Sequence, residues 1–270
     1  MKIADAGQVR KAIRDYYKDA DLWLPTMMNS NDVDSQRIYR LQVLKEDGTT
    51  SFYRLRDRIN NEETLRQHLI EHTPINCYFS VSSWLNPSKT SYKTYAKDWD
   101  GRKHRDKNGF LYSDFVVDCD HKDREEVELI YKFMLDQGIP EDKLQLRFSG
   151  AGWHVIVKQW YRNREIADPI EREKHAYQQM QKFSRKMIDK GFDFDYIIQN
   201  NTVNSPSADT RRVTKLPNTV TEYSNCSEIV DVHDLYNFVP TRVFDDIKVL
   251  SETNGLQEHR NRDNWVITLG

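Results

Sequence analysis

Three short segments carry residue types whose spacing suits chemistry on phosphates. The first is Phe115 to Asp120, where an apolar run ends in Asp118, Cys119 and Asp120. In a strand, positions i and i+2 share a face, so both carboxylates would leave the end of a buried strand on one side. Two carboxylates held that close repel unless a cation lies between them. Oxygen-only ligands favour Mg²⁺ or Mn²⁺, and a pair of such ions is a general means of in-line nucleotidyl transfer. The same pair also suits a solvated turn or the N-cap of a following helix.

The second segment, Phe148 to His154, holds Ser149, Gly150, Ala151 and Gly152 before Trp153 and His154. A glycine-rich turn between strands exposes backbone N–H groups, and with a flanking hydroxyl and imidazole it can hold a triphosphate. A tight hairpin whose glycines serve geometry alone is the alternative. The third segment runs from Asp209 to Pro217 and places Arg211, Arg212 and Lys215 on a short strand. Arg211, Val213 and Lys215 would share one face, with Arg212 and Thr214 on the other. Such a strand can turn positive charge towards phosphates, or it can be a charged edge that discourages aggregation.

The elements that must position these groups follow from hydrophobic period and turn chemistry. Residues 8–19, 60–72, 123–137 and 168–190 read as helices, the second capped by Asn60 or Asn61 and the third closed by Gly138 and Pro140. Strands are expected over 38–44, 51–56, 77–84, 112–120, 144–149, 153–160 and 211–217, with a short helical stretch near 231–237. Residues 86–109, rich in Lys and Arg among Tyr92, Tyr95 and Trp99, read as an exposed loop able to meet nucleic-acid phosphates and stack bases. The fold class expected is α+β, with a mostly antiparallel central sheet flanked by helices.

The 270 residues suffice for one large domain or two modest ones with a shared core. A hydrophobic content of 38% with 30% charged residues suits a water-soluble globular chain. The formal net charge of −2 gives no bulk basic character, so any nucleic-acid contact must come from local patches. Cys77, Cys119 and Cys226 are odd in number and far apart, which gives neither a disulfide framework nor a CxxC zinc pair and points to a reduced, intracellular (cytoplasmic or nuclear) setting. No stretch approaches the roughly 20 apolar residues of a membrane span, and residues 1–17 lack the apolar centre of a signal peptide.

In order and spacing, the strand-end acids, the Ser149…His154 hairpin and the basic strand ending in Leu216-Pro217 resemble the archaeal–eukaryotic primase superfamily. The likeness is nearest to the small catalytic subunit of replicative primase and runs over residues 50–222, including 51–87 ahead of the first motif. It implies a primase-type catalytic core over 1–230, with 231–270 as an extension packed on or next to it. Asp118 and Asp120 match the family's metal-binding acids. Ser149 and His154 match the residues that hold the incoming triphosphate, and Lys215, with Arg212 beside it, the basic residues on its phosphates. The resemblance also implies two Mg²⁺ or Mn²⁺ ions, nucleoside triphosphate substrates, a single-stranded DNA template and, as a partner, a large primase subunit or other replication protein.

This sequence departs from the family pattern in several places. The hairpin turn is one residue short, and Ala151 stands where an arginine is usual. Residues 218–221 read Asn218, Thr219, Val220 and Thr221 in place of Gly-Ser-Leu-His. The zinc-binding cysteines are missing, so no zinc is expected. Where the family's third metal carboxylate falls, this chain has Asn200, and Asp209, Asp195 and Asp193 are the nearby acids that could replace it; Asp209, directly ahead of the basic strand, is the one expected.

Overall fold

A computed structural model describes residues 6–25, 36–46, 49–55, 59–85, 109–119, 122–192, 194, 210 and 212–243, with the backbone alone of 95–97, 103–105, 197–199 and 202–204. The helices are α1 (Ala6–Asp19), α2 (Glu62–His72), α3 (Arg124–Asp136) and α4 (Pro169–Asp189). The strands are β1 (Tyr39–Leu44), β2 (Thr50–Arg54), β3 (Asn76–Ser80), β4 (Ser82–Trp84), β5 (Tyr95–Lys97), β6 (Lys103–Arg105) and β7 (Phe110–Cys119). They continue with β8 (Leu144–Phe148), β9 (Trp153–Tyr161), β10 (Ile197–Gln199), β11 (Thr202–Asn204), β12 (Val213–Lys215), β13 (Thr219–Val220) and β14 (Cys226–Val230).

The caps explain where the helices begin. Asn61, Asp123 and Asp168 each accept a hydrogen bond from a backbone N–H of the first turn, satisfying donors that a helix start leaves open. The chain is α+β and its pairings are antiparallel, as expected, but the central sheet is two sheets. One has six strands in the order β13-β14-β8-β9-β7-β4, and the other has four in the order β12-β3-β1-β2.

Each sheet has its own core. Phe115, Val117, Leu146, Phe148, Val155 and Val157 of the six-stranded sheet pack against Ile130 and Met134 of α3 and Phe183 and Met187 of α4. Leu41, Cys77 and Phe79 of the four-stranded sheet pack with Ile13 and Tyr17 of α1 and Leu65 and Leu69 of α2. Alternation then turns Val116, Asp118, His154, Ile156, Gln145 and Arg147 to the opposite face of the larger sheet. That face is covered: Val116 and Ile156 are buried against Val81, in the link between the sheets.

The link corrects the expectation of one strand over 77–84. The chain leaves the smaller sheet at Ser80 and enters the larger at Ser82. Between them Val81 donates its N–H to the Arg212 carbonyl and accepts from the Asp114 N–H. Arg37 fastens the crossover by donating to the carbonyls of Ser80 and Val81, both at 2.8 Å, while its guanidinium meets Asp114 at 2.9 Å.

Four other expectations change. The 86–109 segment contains a short hairpin, β5 paired with β6, where an uninterrupted loop was expected. The basic strand expected over 211–217 is confined to Val213–Lys215, and the helical stretch near 231–237 is a single 3₁₀ turn over Val232–Asp234. β14 adds a central-sheet strand at Cys226–Val230, where none was expected.

Candidate active site

Asp118 stands one residue before the end of β7, opposite His154 of β9, which in turn lies opposite Arg147 of β8. From the other sheet, β12 and the residue just ahead of it meet this row: the Thr214 hydroxyl lies 3.0 Å from Nδ1 of His154, and Arg212 forms an ion pair with Oδ2 of Asp118. Asp118 and His154 are each 6% exposed and Arg147 only 1%, so the cluster sits between the sheets with little access to water. The sequence separation is large, since Arg212 and Asp118 are 94 residues apart. The crossover at Val81 brings them together, because its N–H ties down the backbone of Arg212.

The electrostatics follow from this burial. His154 Nε2 lies 3.6 Å from Oδ1 of Asp118. Desolvation nevertheless holds its imidazole at about 4, with Asp118 opposing and Arg212, Arg147 and Lys215 reinforcing the depression. The ring is therefore neutral near pH 7, and the 3.6 Å approach is a polar contact that becomes an ion pair only on protonation. Arg147 is likewise lowered, to about 9, by burial; Asp114 counters this and Arg37 adds to it. Its guanidinium lies over Trp23 at 4.6 Å and Phe79 at 5.2 Å, and Nε donates to Gln145 at 2.6 Å. Nη1 of Arg147 and Nη1 of Arg212 are buried without a hydrogen-bond partner. These two orphaned guanidinium donors leave the cluster short of hydrogen-bond acceptors, the condition an incoming phosphate would relieve.

The remaining expected residues are placed less directly. Ser149 is buried, and its hydroxyl is engaged inside the hairpin, donating to the Gly152 carbonyl at 3.1 Å and accepting from the Gly152 N–H at 3.3 Å. The turn packs against the segment after β13: Gly150, at φ +107°, has room for no Cβ, which would fall 2.7 Å from Oγ1 of Thr221. The Gly150 carbonyl accepts from Asn225. Lys215 is held by Glu222 at 2.8 Å and lies over the Tyr223 ring. Asp120, Asp209, Asp193, Asp195, Asn200 and Arg211 lie outside the described residues, as do Tyr92 and Trp99.

As a metal ligand, Asp118 is of the right kind, an oxygen donor at a buried strand end, and it faces a set of cations that a triphosphate could neutralise. Both of its oxygens are engaged by the protein, through His154 and Arg212, so cation binding requires Arg212 to move from Oδ2. One carboxylate does not make a two-ion site, and the other expected acids fall outside the described residues.

Sequence reasoning did not single out Arg147 or Thr214. Arg147 could have been found from hairpin geometry, since a four-residue turn over 149–152 pairs Phe148 with Trp153 and hence Arg147 with His154. The Asp114–Arg37 pair carried no local signal.

Neither a protein-family model nor a curated protein matches the sequence. Among solved structures, the polymerase domain from Mycobacterium tuberculosis Ligase D in complex with DNA is similar in shape, with a TM-score of 0.47 and 10% identity over 97% of this chain and 98% of that one. At that level of similarity, activity has to be read from the site itself. Among the described residues, no helix is long and apolar enough to cross a membrane.

Proposed function

We propose that this chain is a template-dependent primase or primase-polymerase, joining nucleoside triphosphates into short RNA or DNA primers on single-stranded DNA. One observation carries the reading. Asp118 of β7, His154 of β9, Arg147 of β8, Thr214 of β12 and Arg212 just ahead of β12 converge in one buried cluster between the two sheets, with two guanidinium nitrogens that lack hydrogen-bond partners.

In this reading Asp118, with Asp120 and Asp209, would hold Mg²⁺ or Mn²⁺, which supplies charge neutralisation for nucleotidyl transfer. Arg212 exchanges its carboxylate partner for the triphosphate. His154, neutral in the free protein, gains a reason to protonate when phosphate oxygens arrive, and Thr214 fixes its ring through Nδ1. Arg147 supplies fixed positive charge behind His154 and is held in place by its contacts with the rings of Trp23 and Phe79 and its bond to Gln145. Ser149 shapes the turn, and Lys215 reaches the phosphates by leaving Glu222.

A second reading has one specific observation in its favour. The Arg212–Asp118 ion pair leaves Asp118 satisfied without a cation, as it would be in a nucleotide- or DNA-binding subunit that no longer catalyses. Metal-dependent triphosphate binding measured by calorimetry separates the two. The primase reading requires binding that strengthens with Mg²⁺ or Mn²⁺ and weakens in Asp118→Asn. Binding indifferent to both would favour the non-catalytic subunit.

A further inference from the structure

We infer that α2 carries a transition-metal site, formed by His68, Glu71 and His72 and suited to Zn²⁺. It lies on the helix of the smaller sheet's core and shares no residue with the phosphate-facing cluster, so it does not depend on the proposed activity. On a helix, positions i, i+3 and i+4 form one surface patch, which brings two imidazoles and a carboxylate together. The structure shows that convergence: the ligand atoms of the three residues all lie within 4.8 Å of one another. A tetrahedral zinc ion with bonds of ~2.0–2.1 Å needs ligand atoms ~3.3 Å apart, a closure that side-chain rotation can supply.

Three further features prepare the site. The His68 and His72 rings are already parallel, 6° between planes with centroids 6.1 Å apart, and Tyr53 of β2 stacks with His72 at 5.7 Å. The residues occupy the last turn and a half of α2, which Thr73 closes in the left-handed conformation with its N–H on the Leu69 carbonyl. The carbonyls of this turn, of which Leu69 accepts from Thr73 and Ile70 from Arg14, form the negative end of the helix dipole, favourable to a cation. Glu71 and His72 also line an open cavity of about 580 Å³, bounded by α1, β1 and β2, so water or a small anion can complete the coordination. Two nitrogen donors and one carboxylate select Zn²⁺ over Mg²⁺, which prefers oxygen alone.

The test uses the full chain without an affinity tag, stripped with a chelator, exchanged into buffer and titrated with zinc chloride at pH 7.5. Calorimetry should show one high-affinity equivalent, and magnesium chloride should not compete for it. His68→Ala and His72→Ala should each weaken binding at least tenfold, while Asp118→Asn leaves it unchanged. In the unmutated protein, zinc should shift the imidazole resonances of two histidines in NMR spectra, a readout that does not depend on a variant folding. Cobalt substitution should give visible d–d bands without a thiolate charge-transfer band, because Cys77, Cys119 and Cys226 are buried elsewhere. Absence of zinc binding, or undiminished binding in the His68→Ala/His72→Ala double variant, would overturn the assignment.

Discussion

Replacing Asp114 by Asn tests how the two sheets are held at the working distance of the site. Asp114 and Arg37 have side chains only 6% and 8% exposed, and their ion pair is 2.9 Å long. The same Arg37 donates to the carbonyls of Ser80 and Val81, where the chain crosses between sheets, and lies over the rings of Phe79 and Tyr112 at 5.3 and 5.5 Å. Oδ1 of Asp114 also accepts the N–H of Gln159, a residue at φ +53°. Asparagine keeps the shape and that acceptor but leaves the guanidinium buried without its counter-charge. Removing one partner of a buried pair costs about 3–5 kcal/mol, on the order of 10 °C in melting temperature for a chain of this size. The double variant Arg37→Met/Asp114→Asn should recover part of this, because methionine keeps the contacts with Phe79 and Tyr112 and buries no charge. Urea unfolding of the four proteins completes the cycle. A loss below about 1 kcal/mol in Asp114→Asn, or a double variant as unstable as the two single losses summed, would refute the reasoning.

Two further perturbations probe the cluster and its turn. Because burial lowers His154 from 6.5 to about 4, the unfolded chain takes up this proton at a higher pH than the folded one. Stability should therefore fall as pH drops from about 6.5 towards 4, by on the order of 3 kcal/mol at the end of that window. His154→Gln should remove this component, and parallel stability–pH profiles for the two proteins would contradict it. Gly150→Ala places a Cβ 2.7 Å from Oγ1 of Thr221 at a φ of +107°, so it should destabilise the fold by about 1–3 kcal/mol; wild-type stability in thermal unfolding would refute the packing described.

Much of the scaffold was legible because its signals are local. Asn61 and Asp123 cap their helices where composition said a helix should start, and the glycine turn at 149–152 set the β8–β9 register that carries His154. The division into two sheets was not legible. Residues 77–84 alternate without a glycine or proline to mark a break, and the break is made by long-range bonds from Val81 to Arg212 and Asp114. β14 was missed for a similar reason: its five residues include Ser227 and Glu228 on a strand paired mainly through its backbone. Within the site, strand alternation correctly put Arg212 and Thr214 on one face, and both meet the Asp118–His154 row. Alternation also gives Gln145 and Arg147 a polar face, which reads as solvent-facing until the second sheet is known to cover it. That Arg212 would rest on Asp118 had no local signature, being a contact across 94 residues.

The central claim, that the cluster around Asp118 supports primer synthesis, is tested most directly on unprimed single-stranded DNA. The wild-type chain and Asp118→Asn would be compared with labelled ribo- or deoxynucleoside triphosphates and Mg²⁺ or Mn²⁺. The account predicts metal-dependent primers from the wild type and none from the variant, whose circular dichroism and thermal unfolding should show an intact fold. Primers from Asp118→Asn at the wild-type rate, or a wild-type protein that binds DNA and triphosphate yet makes no product with either metal, would contradict it.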